Sequence, residues 1–267
     1  SSRFSYERVF ESMDDRLTRG GPLALKPAGH QISFNQTTDF SKPLTGFGNV
    51  TYQWDEAGND KTTFFANLSI KTSSTWELSL GPRLSFNNAI AQYVGDEEDP
   101  EATNTYGARY IFGDLEQTTF SLDTRLNVTF TPDLTLELYA QPFIASGDYG
   151  ALKELAAPGT FEFNEYGVDV GTVALDEDGD ALIDPDGAGP AETFTVSNKD
   201  FNRVSLRGTG VLRWEWRPGS TLFLVWQQSR SQNEDYGDFD LSRDAGNLFE
   251  GDSYNVFMVK ATYWLGS

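Results

Sequence analysis

Residues 120–143, FSLDTRLNVTFTPDLTLELYAQPF, constrain the fold of this chain more than any other stretch. Phe120, Leu122, Leu126, Val128 and Phe130 alternate with Ser121, Asp123, Arg125, Asn127 and Thr129. Thr131-Pro132-Asp133 turns the chain, and Leu134, Leu136, Leu138 and Ala140 then alternate with Thr135, Glu137, Tyr139 and Gln141. A period of two is that of a strand with one dry and one wet face, because successive side chains leave the backbone on opposite sides. Each arm runs to about 10 residues, near the ~9–11 that a tilted strand needs to cross a bilayer. The wet face carries Asp, Arg and Glu, which a small soluble β-core rarely encloses. A transmembrane barrel accommodates them, since its lumen is wet and its outside apolar.

The same alternation predicts further strands at 31–39, 44–54, 62–71, 75–86, 201–216, 221–230 and 255–265. Short turns (41–43, 72–74, 131–133, 217–220) alternate with longer connections (55–61, 87–115, 146–200, 231–254). Outer-membrane barrels have this asymmetry of short periplasmic turns and long extracellular loops. Trp76, Phe130, Trp216 and Trp264 fall at short-turn ends and Trp54, Phe86, Phe120 and Trp226 toward long-loop ends, as two interfacial girdles would. The expected fold is therefore all-β: an antiparallel up-and-down transmembrane β-barrel, or the C-terminal part of a larger one, with long acidic extracellular loops. Residues 1–29 are expected as loop or partial strand and 30–267 as the outer-membrane barrel region. Nine clear strands make an odd count where bacterial single-chain barrels have an even one. Either residues 1–29 hold a tenth strand, or missing N-terminal strands or a partner chain close the barrel, because an open edge in lipid leaves backbone groups unpaired. The alternative is a secreted soluble β-sandwich, whose core has no place for the charges of the wet rows.

Composition removes several function classes. Lys and Arg total 20 against 40 Asp and Glu, a net charge of −20, the opposite of what nucleic acid requires. With no Cys there is neither a disulfide framework nor a thiolate metal site. No apolar run approaches the ~18 residues of a transmembrane helix, which says nothing against strands. Ser1-Ser2-Arg3-Phe4 lacks the apolar stretch of an export signal, so a mature or internal start is expected.

Two sets of residues carry candidate chemistry. Asp176, Asp178 and Asp180 at alternate positions, with Asp184 beyond, resemble a calcium loop of hard oxygen ligands. The match is partial, since Ala181 stands where such a loop has Gly and Gly187 where it has Glu; a solvated acidic loop is the other reading, and calcium is the one cofactor expected. Glu77, Arg83, Asp123, Arg125, Glu137, Arg207, Arg213, Glu215 and Lys260 all fall on wet rows. They line a polar conduit or a docking wall for a plug, or else form a ladder of cross-strand ion pairs filling a narrow lumen. The single His, His30, is accompanied by no G-x-S-x-G nucleophile motif, so no catalytic residue is expected and the chain is read as not an enzyme. Tyr106, Tyr149 and Tyr236 in the acidic loops either stack on sugars or pack within their loops.

Several longer motifs resemble a known family. They are Arg16-Leu17-Thr18-Arg19-Gly20-Gly21-Pro22, Ala91-Gln92-Tyr93-Val94-Gly95, the hairpin over 126–143 and Ser146-Gly147-Asp148-Tyr149. To these add the run from Leu212 to Ser220 (LRWEWRPGS), Gly237-Asp238-Phe239-Asp240, Asn255-Val256-Phe257 and Tyr263-Trp264-Leu265. Together they resemble the C-terminal part of an uncharacterised bacterial family known as a domain of unknown function. Its members join an N-terminal carbohydrate-binding-like β-domain to an outer-membrane barrel-like region. The resemblance implies that the N-terminal domain and first barrel strands lie outside this sequence; it supplies a place rather than a reaction. The expectation is an outer-membrane β-barrel of a diderm bacterium, in contact with lipid, with a structural, transport or surface-handling role toward glycan or nutrient. The alternatives are a secreted calcium-dependent carbohydrate-binding sandwich and a scaffold subunit of a larger outer-membrane assembly.

Overall fold

Alternation along the chain becomes a two-faced sheet. The computed structural model describes residues 1–71 and 73–265, so Thr72 of the expected 72–74 turn and the last two residues of the expected barrel region lie outside the described residues. Ten strands follow one another across one sheet in chain order. They are β1 (Ser2–Val9), β2 (Gly29–Thr37), β3 (Leu44–Asp55), β4 (Asp60–Ile70), β5 (Trp76–Glu98), β6 (Ala108–Thr131), β7 (Leu134–Leu155), β8 (Phe201–Arg217), β9 (Ser220–Glu234) and β10 (Asp252–Thr262). Every neighbouring pair is antiparallel, and a short strand, Phe163–Glu165, adds an eleventh beside the end of β7.

The register aligns like with like. Phe4, Phe34, Val50, Phe64, Leu84, Phe120, Ile144 and Val204 form one transverse row, each directly opposite the next. One residue further along, on the other face, Ser5, Ser33, Thr51, Thr63, Ser85 and Thr119 form a row of hydroxyls. A slip of one residue would exchange the faces, so this pattern fixes the register. The apolar face is largely uncovered: Phe34 is 47 % and Phe64 43 % exposed. It is covered where helix α1 (Leu241–Glu250) crosses it and Leu248 packs on Ile144 and Val204, which are 0 % and 3 % exposed. Asp240 caps α1, its carboxylate accepting from the Ser242 and Arg243 backbone N–H groups.

All-β antiparallel architecture is as expected. No closed barrel is found: β1 and β10 are the two ends of the strand order, and among the described residues no strand pairs with their outer sides, so of the two expected forms the barrel closed by this chain alone is not seen. Residues 2–9, expected as loop or partial strand, form a full edge strand, because Phe4 and Tyr6 alternate with Arg3, Ser5 and Glu7 in step with β2.

The long connections also differ from their expected bounds. Residues 87–98, 108–115 and 146–155 continue β5, β6 and β7 rather than forming loops. Bulges at Ala89/Gln92 and Tyr93/Gly95 break the two-residue period there. Covering on both sides hides it further: Ile111 packs with Tyr166 and with Ala181, Ile183 and Val196 of a three-stranded sheet (Thr172–Leu175, Ala181–Asp184, Phe194–Val196), while Phe112 packs with Ala91, Leu155 and Leu17. The 231–254 connection contains the last residues of β9 and all of α1.

The raised β5–β7 segment and its small sheet make a head. The β3–β4 turn, 56–59, is low by comparison. Above it passes the β1–β2 connection, residues 10–28, a strap that carries a short hairpin of its own (Ser12–Asp14 with Ala24–Lys26). The strap is tied to the head by Leu25 N–H donating to the Thr160 carbonyl at 2.9 Å and Gly159 N–H to the Leu23 carbonyl at 2.7 Å. The Arg19 guanidinium lies 5.0 Å from the Tyr93 ring centre. Gly21 is required by close approach: a Cβ there would fall 2.2 Å from the Tyr110 ring.

Candidate functional site

The polar face of the sheet gathers the predicted wet-row charges. Pairings such as Arg83 with Ser121, Asp123 with Gly81, Glu77 with Asn127, Glu137 with Val211, Arg207 with Gln141 and Lys260 with Phe223 put Glu77, Arg83, Asp123, Arg125, Glu137, Arg207, Arg213, Glu215 and Lys260 on one side. They do not form the expected ladder of cross-strand ion pairs. Arg213 meets Glu215 at 2.9 Å on its own strand and Lys71 lies 3.9 Å from Glu77. Asp123 instead accepts from the Tyr139 hydroxyl and the Gln141 amide, both at 2.8 Å. Arg83, Arg125 and Lys260 sit over the rings of Phe65, Tyr139 and Phe223. The cause is register: no two of these predicted charges of opposite sign stand directly opposite each other on neighbouring strands, and where two share a row, as Asp123 and Arg207 do, Gln141 stands between them, so neighbouring strands offer aromatic, amide and hydroxyl partners instead.

Toward the long-connection end the polar face ends in a cleft of about 540 Å³. Its floor is another register row, Glu7, Gln31, Gln53, Lys61 and Asn87, continued by Gln117 on β6. Lys26 and Pro27 of the strap also line it. The Gln53 amide donates to the Gln31 carbonyl oxygen, which fixes both side chains. Sequence reading missed this row: Gln31 and Gln53 lie on expected strands, but Lys61 and Asn87 fall in expected connections and join the row only because β4 and β5 extend over them.

The head is organised by a buried cation. Arg109, 9 % exposed at its side chain, donates to Asp99 and to Glu154 at 2.6 Å each, and the Tyr166 hydroxyl donates to Glu154 at 2.8 Å. Burial opposes the charge on Asp99, but the Arg109 hydrogen bond, the Glu101 N–H and the Arg109 charge outweigh it and hold its carboxyl below the usual range. Burial, then the nearby Glu154 charge and hydrogen bond, pushes the Tyr166 phenol up. The Tyr93 phenol is pushed up to about 12, first by burial and then by its hydrogen bond to Asp96. Asp148 is raised by burial and by the charges of Asp200, Glu116 and Asp238.

The four predicted calcium ligands are not brought into one shell. Asp176, Asp178 and Asp180 occupy the tight turn between two strands of the small sheet, whereas Asp184 pairs with Thr172 at the far end of that hairpin. The Asp176 carboxylate accepts from the Asp178 and Asp180 N–H groups, that of Asp180 from Asn198 N–H and that of Asp184 from Gly187 N–H. Among the described residues no group of three or more His, Cys, Asp or Glu side chains is placed to hold a metal ion. The three loop tyrosines are separate too. Tyr106 is exposed, Tyr149 lines a second cleft against the small sheet, and Tyr236 lies beneath the Arg243 guanidinium at 4.2 Å. His30 stacks between Tyr6 and Trp54, and its Nδ1 is 2.8 Å from the Tyr6 hydroxyl.

A family model described as Domain of unknown function (DUF5916) matches residues 8–266. No curated protein and no solved structure matches the chain.

Proposed function

The chain belongs to the DUF5916 family, a domain of unknown function, and we propose that it is a wall of an outer-membrane β-barrel in a diderm bacterium. Its apolar face meets lipid, its polar face lines a wet interior, and its head and strap stand outside the cell. Its role is structural or in transport, handling glycan or nutrient at the surface. The observation that carries this reading is the pair of adjacent rows on opposite faces, Phe4 to Val204 all apolar and Ser5 to Thr119 all hydroxyl. A face of that width, left open to water, would expose far more contiguous apolar area than the few hundred Å² that soluble proteins tolerate. A sandwich would need a second sheet on it, whereas among the described residues α1 covers one end. The stacked Tyr6, His30, Trp54 and Tyr52 rings, at centroid separations of 5.9, 5.1 and 5.1 Å, support an interfacial girdle near the long-connection end. On this reading the outer sides of β1 and β10 pair with further strands, from preceding chain or a partner subunit, since unpaired backbone in lipid is costly.

Membrane fractionation of the natural protein tests the proposal. Resistance to an alkaline wash, with a mobility shift between heated and unheated gel samples, is the expected result. Release into the soluble fraction overturns it and favours the carbohydrate-binding sandwich; retention only as part of a larger particle favours the scaffold role.

A further inference from the structure

The cleft beside the strap has a floor whose spacing selects its ligand. Glu7, Gln31, Gln53, Lys61, Asn87 and Gln117 come from six successive strands and stand directly opposite one another. Successive side chains are therefore about 4.8 Å apart, and the row is roughly 24 Å long, perpendicular to the strands. The Glu7, Lys61, Asn87 and Gln117 side chains are in no hydrogen bond or ion pair among the described residues; the Gln53 amide donates to Gln31, and the Gln31 amide donates to the Ser33 hydroxyl at 3.5 Å, which leaves the Gln53 carbonyl oxygen as a free acceptor. Along the row one acceptor, Glu7, and one donor, Lys61, stand among four carboxamides, and the cleft as a whole sets Glu7, Asp55 and Asp60 against Lys26 and Lys61, so neither sign of charge dominates it. Carboxamides offer a donor and an acceptor side by side, which is what a vicinal diol presents in return.

We propose that this row binds a linear, neutral oligosaccharide lying across the strands beside Lys26 and Pro27. The reasoning is geometric. The units of an extended glycan repeat on nearly the interstrand distance of ~4.8 Å, and each carries hydroxyls along both of its edges even where successive units turn over, so each unit can meet one side chain of the row. An extended peptide advances ~3.3 Å per residue and turns alternate groups away, so its polar atoms fall out of step with the row. The cleft volume of about 540 Å³ has room for a few units, and the neighbouring hydroxyls of Ser33, Thr51, Thr63 and Ser85 extend the polar floor. This inference deepens the glycan-handling part of the proposed function and rests on it, but not on membrane insertion.

The test is titration calorimetry of the full chain, in detergent micelles if it extracts from membranes, with neutral β-linked glucose oligomers of one to six units. Affinity should rise with length to about four or five units and then level. Gln53→Ala and Asn87→Ala should each weaken binding of the longest oligomer by about tenfold, the effect of losing a fixed hydrogen-bonding pair. Gln227→Ala, on the polar face of β9 away from the cleft, should leave it unchanged. Circular dichroism and heat-dependent gel mobility matching the unaltered protein establish that the variants fold. Absence of binding at millimolar concentration, affinity independent of length, equal loss in the Gln227 variant, or tighter binding of a neutral peptide of similar length each overturns the inference. Sugar binding by a protein that washes off membranes leaves this inference intact and removes the barrel; a membrane-integral protein without sugar binding does the reverse.

Discussion

Replacing Arg109 with Met should invert the pH dependence of the head. Arg109 is held between Asp99 and Glu154 at 2.6 Å each, with side-chain exposures of 9 %, 9 % and 11 %. Met keeps the packing volume but leaves two carboxylates facing each other out of water. Removing one partner of a buried, hydrogen-bonded ion pair costs about 3–5 kcal/mol, of the order of the ~4 kcal/mol Coulomb term for charges ~4 Å apart at an effective dielectric constant of ~20. The sign with pH follows from Asp99. Its folded pKa lies below the unfolded value near 3.8, so its stabilisation is present above that value and is lost as pH falls through the folded one. In the variant the guanidinium is gone, proton uptake relieves the repulsion, and protection rises as pH falls from about 7 toward 4. The reporter is amide hydrogen exchange of residues 181–184 and 194–196, where Ile183 is 0 % exposed. Exchange at neutral pH should accelerate by roughly two to three and a half orders of magnitude, about 3–5 kcal/mol. A change below about 1 kcal/mol with the wild-type pH slope would refute the reasoning, because that is how a solvated pair behaves.

The two faces of the sheet should respond oppositely to charge: Phe64→Arg should cost about 2–4 kcal/mol in a lipid-embedded barrel and Thr63→Arg, one residue away, much less, read by denaturant titration in vesicles. Equal costs would remove the assignment of lipid to the Phe64 side. Gly21→Ala should free the strap, since its Cβ would collide with the Tyr110 ring, at a cost of about 1–3 kcal/mol for overpacking; faster proteolysis within 10–28, with β3–β4 unaffected, is the expected readout. If calcium binds the acidic turn, Asp184→Asn should leave the heat of calcium titration unchanged, because Asp184 lies roughly 10 Å along the strand from Ala181, whereas Asp176→Ala should abolish it; loss in both variants would mean that the four carboxylates do converge.

The strands of the two-faced region were legible because each residue there has a single neighbour class, apolar on one side and polar on the other. Leu134 to Ala140 alternate without interruption, and the structure pairs Leu136 to Ala140 in register with Thr124 to Val128 and all of Leu134 to Ala140 with Gly208 to Trp214. The same rule hid the upper half of β6. Arg109-Tyr110-Ile111-Phe112-Gly113 does not alternate, because Ile111 faces one buried cluster and Phe112 another. β1 was hidden by brevity, with the alternation of Phe4 and Tyr6 too short to stand alone, and α1 by acidity: Asp240 reads as loop until its carboxylate is seen capping Ser242 and Arg243. The candidate site divides in the same way. That the charges share a face follows from parity and could be read; that Glu7, Gln31, Gln53, Lys61, Asn87 and Gln117 stand in one row depends on the turn and loop lengths between six strands, and a single added residue in any of them would scatter the row.

Exposure across the apolar face carries the last step. Phe64 in the interior of the sheet is 43 % exposed, but Phe4 on β1 is 68 % and Phe257 and Val259 on β10 are 76 % and 72 %. An interior side chain is flanked by two strands and an edge one by a single strand, so the gradient measures a missing neighbour and not a change in composition. A second sheet laid over the face would lower all of these values together, whereas strands added at the two ends would lower those of β1 and β10 alone and leave Phe64 as it is. Phe4, Phe257 and Val259 are as apolar as the interior rows, and the charged Arg3 and Glu7 of β1 and Lys260 of β10 fall on the polar face instead. β1 and β10 run antiparallel to each other, as adjacent strands of an even-numbered up-and-down barrel do. On the proposed barrel reading these edges continue the sheet sideways and complete the wall around the polar face and its cleft; on a sandwich reading a second sheet would lower the exposure of Phe64 as well.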